Sequence, residues 1–295
     1  MNKINENKKG FVSTLIVFFS FLLLITLVVV ISDYNLARDR ELIQLSASKK
    51  VIYAYYDVEE DLEKMYGLNV SSNEENVSIT DHLPGEGILE NVTAYNKFIM
   101  QYYRTRDLDI FMRTDGIRID FEDTDLALRV LPYGIVYSYD DLGKRELYIT
   151  VPSENFSAIS HIYMNLTTTA NITGSPSASC SEWSPYQRCK HNTRCFYFTF
   201  VLIDVDGTVY QSECTEFDPD KMSQLKINLQ NGGSGWVEVR VGDIPDLITI
   251  RMQNAGVDES ALLELNSSDY TLNIADKLVV NDINSNISKE DYLGD

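Results

Sequence analysis

The spacing of hydrophobic residues along this chain changes twice, and each change marks a different kind of element. Residues 11–32 form an uncharged run in which only Ser and Thr interrupt Phe, Leu, Ile and Val. As a helix this run would be about 33 Å long, close to the roughly 30 Å hydrocarbon core of a bilayer. The run predicts a transmembrane helix.

The pattern predicts that this helix continues through residues 33–67. Pro and Gly are absent from residues 33–66, and Gly67 followed by Leu68 is typical of a helix C-terminus. Apolar residues recur at helical spacing in this part: Val51, Ala54, Val58, Leu62 and Met65. We therefore expect the outer half to pack against a globular head. A coiled-coil stalk is the alternative, but the heptads are not sustained.

Beyond residue 68 the pattern predicts shorter elements. Residues 69–86 are polar and predict an exposed loop, and residues 88–103 predict a second helix within a loop-and-helix region, 68–106. From about residue 107 the apolar residues alternate with polar ones, as in strands. The candidate strands are Ile117–Phe121, Ile135–Tyr139, Leu147–Val151, Ser160–Thr167, Phe196–Ile203, Val209–Glu213, Leu225–Leu229, Trp236–Val241 and Leu247–Met252.

Turn signals join several of these strands, so the predicted head is a mainly antiparallel β-sandwich and the fold class is α+β. The turns are Asp115-Gly116, Leu142-Gly143-Lys144, Asp206-Gly207 and Asn231-Gly232-Gly233. The head spans residues 107–295. Its Ser- and Pro-rich segment 174–187 predicts a surface loop, which would divide the head into two β units unless cysteines pair across it.

Charge narrows the classes of partner. Lys and Arg number 25 against 44 Asp and Glu, for a net charge of −19. Binding to nucleic acid needs clustered basic residues, so we expect no nucleic-acid partner. A hydrophobic content of 44% also excludes a disordered acidic tail.

Basic residues before the apolar run predict its orientation. Lys3, Lys8 and Lys9 precede it, which by the positive-inside rule places residues 1–10 in the cytoplasm and residues 33–295 outside. A cleaved secretory signal would have a shorter apolar core, about 7–15 residues, and a small-residue cleavage site. We therefore expect a retained single-pass anchor.

The junction Lys8-Lys9-Gly10-Phe11 resembles the class III signal of type IV prepilins. The resemblance covers about the first 65 residues. It implies that a peptidase cuts after Gly10, that Phe11 begins the mature chain, and that the helix packs against other pilin-like subunits. Bacterial major pilins carry Glu at the fifth mature position, where this chain has Leu15. Some minor pilins and archaeal pilin-like proteins also lack that Glu. A signal anchor with a chance Lys-Lys-Gly is the alternative.

Eight Asn-x-Ser/Thr sequons lie in the predicted outer region, where chance would give about three. This excess is typical of a glycosylated surface protein. The predicted glycosylation sites are Asn69, Asn76, Asn91, Asn155, Asn165, Asn171, Asn266 and Asn286.

The four cysteines, Cys180, Cys189, Cys195 and Cys214, predict two disulfides in an oxidising compartment. Their spacing does not fit a zinc site, although His191 could join Cys189 as a ligand. If Asp206-Gly207 is a two-residue turn, Cys195 and Cys214 lie about 13 Å apart, beyond disulfide reach. The other two pairings stay open, and we expect no metal or cofactor.

The segment from Asp204 to Thr208 resembles the first motif of haloacid-dehalogenase phosphatases. That resemblance implies Asp204 as nucleophile and Asp206 as general acid, with Gly242-Asp243 and Asp246 as a later acidic motif. Such enzymes need parallel strands alternating with helices, which this pattern lacks, so we expect a hairpin turn and no enzyme.

Two tryptophans could form a sugar-stacking platform, Trp183 and Trp236, although the alternation around Trp236 favours a core position. The function expected from the sequence is a structural or adhesive surface protein, a pilin-like filament, minor or tip subunit. The alternative is an anchored sandwich that binds carbohydrate or another surface partner, and a remote one is an extracellular hydrolase.

Overall fold

A computed structural model describes residues 3–173, 177–189, 195–230 and 234–293. One long helix leads into a domain built from two β-sheets and a second helix. Most strand pairs are antiparallel. The predicted α+β class, a long apolar N-terminal helix followed by a β-rich head, is therefore confirmed.

The helices and strands have the following bounds. The helices are α1 (Lys3–Tyr66) and α2 (Ile88–Tyr102). The strands are β1 (Asn69–Asn73), β2 (Asn76–Leu83), β3 (Leu108–Thr114), β4 (Ile117–Ile119), β5 (Ala127–Leu131), β6 (Ile135–Tyr139), β7 (Glu146–Thr150), β8 (Ile159–Thr168), β9 (Ser177–Ala178), β10 (Phe196–Ile203), β11 (Val209–Ser212), β12 (Glu216–Phe217), β13 (Ser223–Leu229), β14 (Gly235–Val241), β15 (Asp246–Gln253), β16 (Val257–Leu265), β17 (Thr271–Asp282) and β18 (Ser288–Leu293).

The strands form two sheets. The first has the order β1-β2-β16-β8-β10-β11-β9, with β12 paired to β10. The second has the order β13-β14-β15-β7-β6-β5-β17-β3-β4, with β18 paired to β17. Among the described strands, the parallel pairs are β8 with β10 and β9 with β11.

Both sheets contribute to one continuous hydrophobic core. Alternate residues point inward, so Phe198 and Phe200 of the first sheet and Ile149 and Val239 of the second are fully buried. Each sheet takes strands from both sides of residues 174–187. That segment therefore does not divide the head into two β units, contrary to the possibility raised by its composition.

The polar segment 69–86, predicted as an exposed loop, is instead a hairpin of β1 and β2. Strand β2 lies inside the first sheet, between β1 and β16. Its inward residues are Val77, Ile79, Asp81 and Leu83. The prediction was wrong because polar residues fill the outward positions and Asp81 interrupts the inward row.

The outer part of α1 packs on the head as predicted. Val51, Ala54, Val58 and Leu62 are at most 5% exposed, and Met65 packs against the same core. The helix touches β17, β18 and α2. It ends at Tyr66 because Gly67 takes a left-handed conformation, φ 64°, and donates its N–H to Glu63.

The turn signals had mixed outcomes. Asp115-Gly116 joins β3 to β4 as a two-residue turn, with Thr114 opposite Ile117. Asp206-Gly207 lies in the turn of the antiparallel β10–β11 hairpin, as predicted. The turn is longer than two residues, because Ile203 pairs with Val209 and leaves a five-residue loop. Residues 231–233 lie outside the described residues.

Candidate functional site: the projecting helix and its clasp

Helix α1 has two halves with different surroundings. We call residues 15–46 the projecting half, because all of them are exposed, and residues 47–66 the clasped half, because it packs on the head. An 18-residue window near the N-terminus has a mean hydropathy of 3.1 and none of it is buried. Within the described ranges, α1 is the one helix long and apolar enough to cross a membrane.

Exposed apolar side chains continue beyond the predicted membrane run. Leu36, Leu42, Ile43 and Leu45 are each 53–63% exposed. The same stretch contains five charged residues: Asp33, Arg38, Asp39, Arg40 and Glu41. This 14-residue stretch, 33–46, adds about 21 Å of helix between the predicted membrane run and the head.

The clasped half is held by polar contacts as well as by its apolar stripe. The phenol of Tyr95 on α2 donates a hydrogen bond to Asp61 at 2.8 Å, and Tyr103 donates one to Asp57. Desolvation, followed by these hydrogen bonds, raises the pKa of both tyrosines. Both phenols therefore stay protonated and keep donating at neutral pH.

An ion pair marks the point where the helix enters the head. Lys50 Nζ lies 2.7 Å from Asp282 Oδ2 at the end of β17. Burial alone would raise the pKa of Asp282, but hydrogen bonds from Lys50 and Ser285 lower it to about 2. Asp282 therefore remains a carboxylate that fixes both the helix and the turn after β17.

Strand β18 holds the outer face of the clasped half. The Lys289 ammonium lies 4.1 Å from the centre of the Tyr55 ring and 4.9 Å from that of Tyr56. Tyr55 also donates its hydroxyl to the Tyr292 carbonyl at 3.3 Å. The C-terminal hairpin, β17 and β18, thus forms one side of the clasp.

The predicted processing residues lie in α1. Gly10 and Phe11 are helical, and the backbone continues without interruption from Lys3 through the apolar run. The glycine does not break the helix. The peptidase cut implied by the resemblance stays a prediction.

The predicted glycosylation sites differ in their accessibility. Asn69, Asn91, Asn165, Asn266 and Asn286 are exposed, whereas Asn76, Asn155 and Asn171 are half-buried. Two of the amide nitrogens that would carry glycan already donate to carbonyls: Asn155 to Tyr133 at 2.8 Å and Asn266 to Ser157 at 2.7 Å. Glycan attachment at either residue would replace one of the two hydrogens on that nitrogen.

All four cysteines form disulfides, Cys180–Cys214 and Cys189–Cys195. The Cα atoms are 5.3 and 5.4 Å apart. This is one of the two pairings left open by the sequence, and the disfavoured Cys195–Cys214 bond is absent from these four residues. His191, the other zinc candidate, lies outside the described residues, within which no group of three side chains fits a metal ion.

Asp204, the candidate nucleophile, accepts hydrogen bonds from the backbone of its own loop and of a neighbouring segment. Its carboxylate accepts backbone N–H bonds from Thr208 at 2.7 Å, Asp206 at 3.0 Å and Ile172 at 3.4 Å. Burial alone would raise its pKa, but these bonds lower it below its ordinary value. The carboxylate closes the five-residue loop after β10, and Asp243 and Asp246 lie in a different hairpin, between β14 and β15.

The structure places one tryptophan in the core and the other at the surface. Trp183 is buried against Phe217, and its indole N–H donates to Ser212 at 3.0 Å. Trp236, expected in the core, faces outward, and Lys226 covers its ring at 4.2 Å. The prediction was wrong because Val237 and its alternate neighbours, rather than Trp236, point inward.

Trp236 lines an open cleft of about 610 Å³ between the ends of β13, β14 and β15. The other side chains at this cleft are uncharged, and three carry amides: Asn228, Gln230 and Gln253. A second surface cavity, about 760 Å³, lies between α2 and the β6–β7 turn. Seven acidic residues line this second cavity, against one Arg.

A buried cluster was missed by the sequence analysis. Lys144 and Asp81 form an ion pair of 2.6 Å with side chains at most 1% exposed, between the two sheets. Glu259, 2% exposed, lies opposite Asp81 on the neighbouring strand β16. We call Asp81, Lys144 and Glu259 the interior triad. Acidic residues at inward positions of β2 and β16 were the signal that could have found it.

Comparison of the chain with known proteins gives no match. No family model matches it, and no curated protein or solved structure does either. Its function must therefore be argued from its own geometry.

Proposed function

We propose that this chain is a membrane-anchored surface protein of the type IV pilin kind, in which α1 both anchors the head and packs against α1 of other copies. Residues 1–10 would lie in the cytoplasm and the head outside. The uncovered apolar surface of the projecting half carries the proposal. It extends from Leu15 to Leu45, about 46 Å of helix, whereas a bilayer core covers about 30 Å.

The excess length favours helix packing over simple anchoring. An anchor needs apolar residues only where lipid surrounds it, and exposed Leu or Ile beyond that depth costs free energy in water. Leu42, Ile43 and Leu45 lie on the head side of the predicted membrane run. Neighbouring copies of α1 would bury these side chains, and the charged residues that precede them, 38–41, would pair across copies.

The disulfides and the excess of sequons support the outer location of the head. Disulfides persist in oxidising compartments, and sequons are used where a glycosylation machinery acts. Five of the predicted sites are exposed on the head. A structural or adhesive role, as a filament, minor or tip subunit, fits these features.

The test is the mature N-terminus together with the location of the protein. Mass spectrometry should find a chain that begins at Phe11, and mechanical shearing should release the protein with surface filaments. An intact Met1, or a protein confined to the membrane fraction, would contradict filament assembly. A protein that is uncut and unreleased would leave the anchored binding module in its place.

Gly10→Val sharpens this test, because valine at the cut site should block the peptidase. The uncut variant should stay in the membrane with its head outside, since drawing each Lys of the leader into hydrocarbon costs about 2.5–3.5 kcal/mol. The matched control is Ser13→Val, which adds the same side chain within the mature helix. That control should be processed and released like the wild type.

A second candidate function, carbohydrate binding, is favoured by the cleft at Trp236. In this cleft the Trp236 ring lies beside several amides, with the Lys226 ammonium 4.2 Å from its centre, an arrangement that suits a neutral polar ligand. Trp236→Ala should abolish retention of the protein on a glycan array, and Trp236→Phe should preserve part of it. Equal retention of all three proteins would remove this candidate.

A further inference from the structure

We propose that the interior triad is a self-modification site at which Lys144 and Asp81 join through a side-chain amide bond, with Glu259 as the proton donor. The bond would connect β2 of the first sheet to the turn before β7 of the second. This inference concerns the head alone and does not depend on filament assembly.

The geometry places the reacting atoms together. Lys144 Nζ lies 2.6 Å from Asp81 Oδ1, and the same Nζ donates to the carbonyl of Tyr66 at 2.5 Å. Tyr139 donates its hydroxyl to the other oxygen, Asp81 Oδ2. Nζ is therefore held beside the carboxyl carbon by contacts on both sides.

Glu259 is positioned to transfer a proton to this pair. Residues 259 and 81 are directly opposed in the β2–β16 ladder, where facing side chains are about 5 Å apart at Cβ. Tyr137 donates to Glu259 Oε2 at 2.5 Å, whereas Oε1 is buried without a hydrogen-bond partner. A buried oxygen without a partner is costly for a carboxylate and is relieved by a proton.

The backbone at Lys144 supports the same reading. Its φ is 49°, in the left-handed region that a residue with a long side chain rarely adopts. Here the conformation directs the side chain between the sheets.

Burial prepares both partners for reaction. Desolvation lowers the pKa of Lys144 and raises the pKa of Asp81, so both groups are biased toward their neutral forms. A neutral amine is a nucleophile, and a protonated carboxyl is a better electrophile than a carboxylate. Desolvation also raises the pKa of Glu259 to about 8, so this acid holds a proton at neutral pH.

The step balances without any further reagent. A proton passes from the ammonium to Asp81, and the Nζ lone pair then attacks Cγ, while Tyr139 stabilises the oxyanion that forms. Glu259 donates its proton to the leaving hydroxyl, the C–O bond breaks, and water departs. Glu259 then takes the remaining extra proton from nitrogen. One ammonium and one carboxylate become one amide and one water, with no oxidation or reduction.

The low-dielectric surroundings favour the product. An ion pair buried between sheets carries a desolvation penalty of several kcal/mol per ion, which disappears when both charges are lost. The new bond would lie 15 residues after the end of α1, since β1 and the start of β2 separate Tyr66 from Asp81. A pull on the helix would then reach a covalent link near the end of β2, so it could not unravel the head beyond the first hairpin.

The test is a tryptic map of the full chain, made in a host that does not glycosylate it, extracted in detergent and reduced. We expect a branched peptide joining residues 65–97 to residues 130–145, lighter than the sum by one water, about 18 Da. Trypsin should not cut after Lys144 in this product. Recovery of both peptides unlinked, with complete cleavage after Lys144, would overturn the proposal.

Internal and matched controls make the result specific. The Lys50–Asp282 pair is 2.7 Å apart, but the Lys50 side chain is 34% exposed, so this pair should give unlinked peptides. Glu259→Gln should reduce the branched peptide at least tenfold, whereas Glu264→Gln, on the opposite face of β16, should leave it unchanged. Circular dichroism should show the same β content in both variants. Full linkage in a folded Glu259→Gln protein would overturn the role of Glu259.

A second variant keeps the bond itself testable if Glu259→Gln does not fold. In Asp81→Asn the same attack would release ammonia, and the branched peptide would be lighter than the sum by about 17 Da. Linkage with that mass would support attack at the Asp81 side chain. Both attacks leave the same amide, so the linked peptides of wild type and Asp81→Asn should have identical masses. A linked peptide about 1 Da lighter in the variant would place the bond elsewhere and contradict the proposal.

Discussion

The two halves of α1 are one continuous helix in two different environments. In the projecting half apolar residues face every direction, and Leu24 is 58% exposed. In the clasped half they form one stripe, and Leu62 is fully buried. A helix that is apolar all round needs lipid or other helices on all sides, whereas a stripe needs one protein surface.

This difference separates two tasks within one element. The clasped half contributes to the stability of the head, and the projecting half contributes to insertion and packing outside it. The same kind of substitution should therefore change the stability of the head much more in the clasped half than in the projecting half. The measured quantity is the free energy of unfolding of the head, followed by tryptophan fluorescence of the full chain in detergent.

The largest expected effect comes from truncating the stripe. Leu62→Ala should lower the free energy of unfolding of the head by about 2–5 kcal/mol, because it leaves a cavity beneath α1. Leu24→Ala makes the same change in the projecting half and should lower it by less than about 0.5 kcal/mol. Similar losses in both variants would contradict the division of the helix.

The halves should also differ in their response to pH. The apolar run in the projecting half has no titratable group, whereas the clasped half ends at the interior triad. Burial raises the pKa of Glu259 from 4.5 to about 8. Its stabilising contribution is therefore full below pH 4.5 and is lost as the pH rises through 8.

Between pH 6 and pH 7 this group should lower the free energy of unfolding by about 1.4 kcal/mol. Glu259→Gln should remove that slope, because the amide stays neutral at every pH. The measurement is denaturant unfolding of both proteins at the two pH values. An equal slope in wild type and variant would show that Glu259 is ionised in the folded head.

Helix α1 was predictable from sequence, whereas much of the head was not. The stripe from Val51 to Met65 has a local period that a helix imposes, so five residues sufficed to predict it. Strands Ile135–Tyr139 and Phe196–Ile203 were predicted with their observed bounds because their alternation is regular. Strand β2 was missed because its inward row contains Asp81.

Contacts between residues that are far apart in the chain could not be predicted from sequence. Lys144 is 63 residues from Asp81, and no local pattern reports that two sheets bring them together. The register of the β10–β11 hairpin was predicted one residue out, because the carboxylate of Asp204 closes a longer loop than Asp-Gly alone would. The membrane helix was predictable from sequence. The length of α1 that stays exposed was not, because it depends on where the head packs on the helix.

A smaller effect should follow from loss of one hydrogen bond in the clasp. Tyr95→Phe removes the donor to Asp61 and should lower the free energy of unfolding of the head by about 1 kcal/mol. Tyr53→Phe is the matched control, because Tyr53 lies on the clasped half but is 73% exposed. A larger loss in the control than in Tyr95→Phe would mean that α2 does not hold the helix through this bond.

The smallest expected effect lies at the boundary between the two halves. Lys50→Met removes the ammonium from Asp282 and should lower the free energy of unfolding by less than about 1 kcal/mol, since Lys50 is one-third exposed. The folded pKa of Asp282, about 2, lies below its ordinary 3.8, so its contribution is present above pH 3.8 and is lost as the pH falls through 2. Lys50→Met should therefore lose less stability than the wild type between pH 4 and pH 2. Identical acid profiles would show that Ser285 and the turn amides alone hold Asp282, and that the clasp begins at Val51.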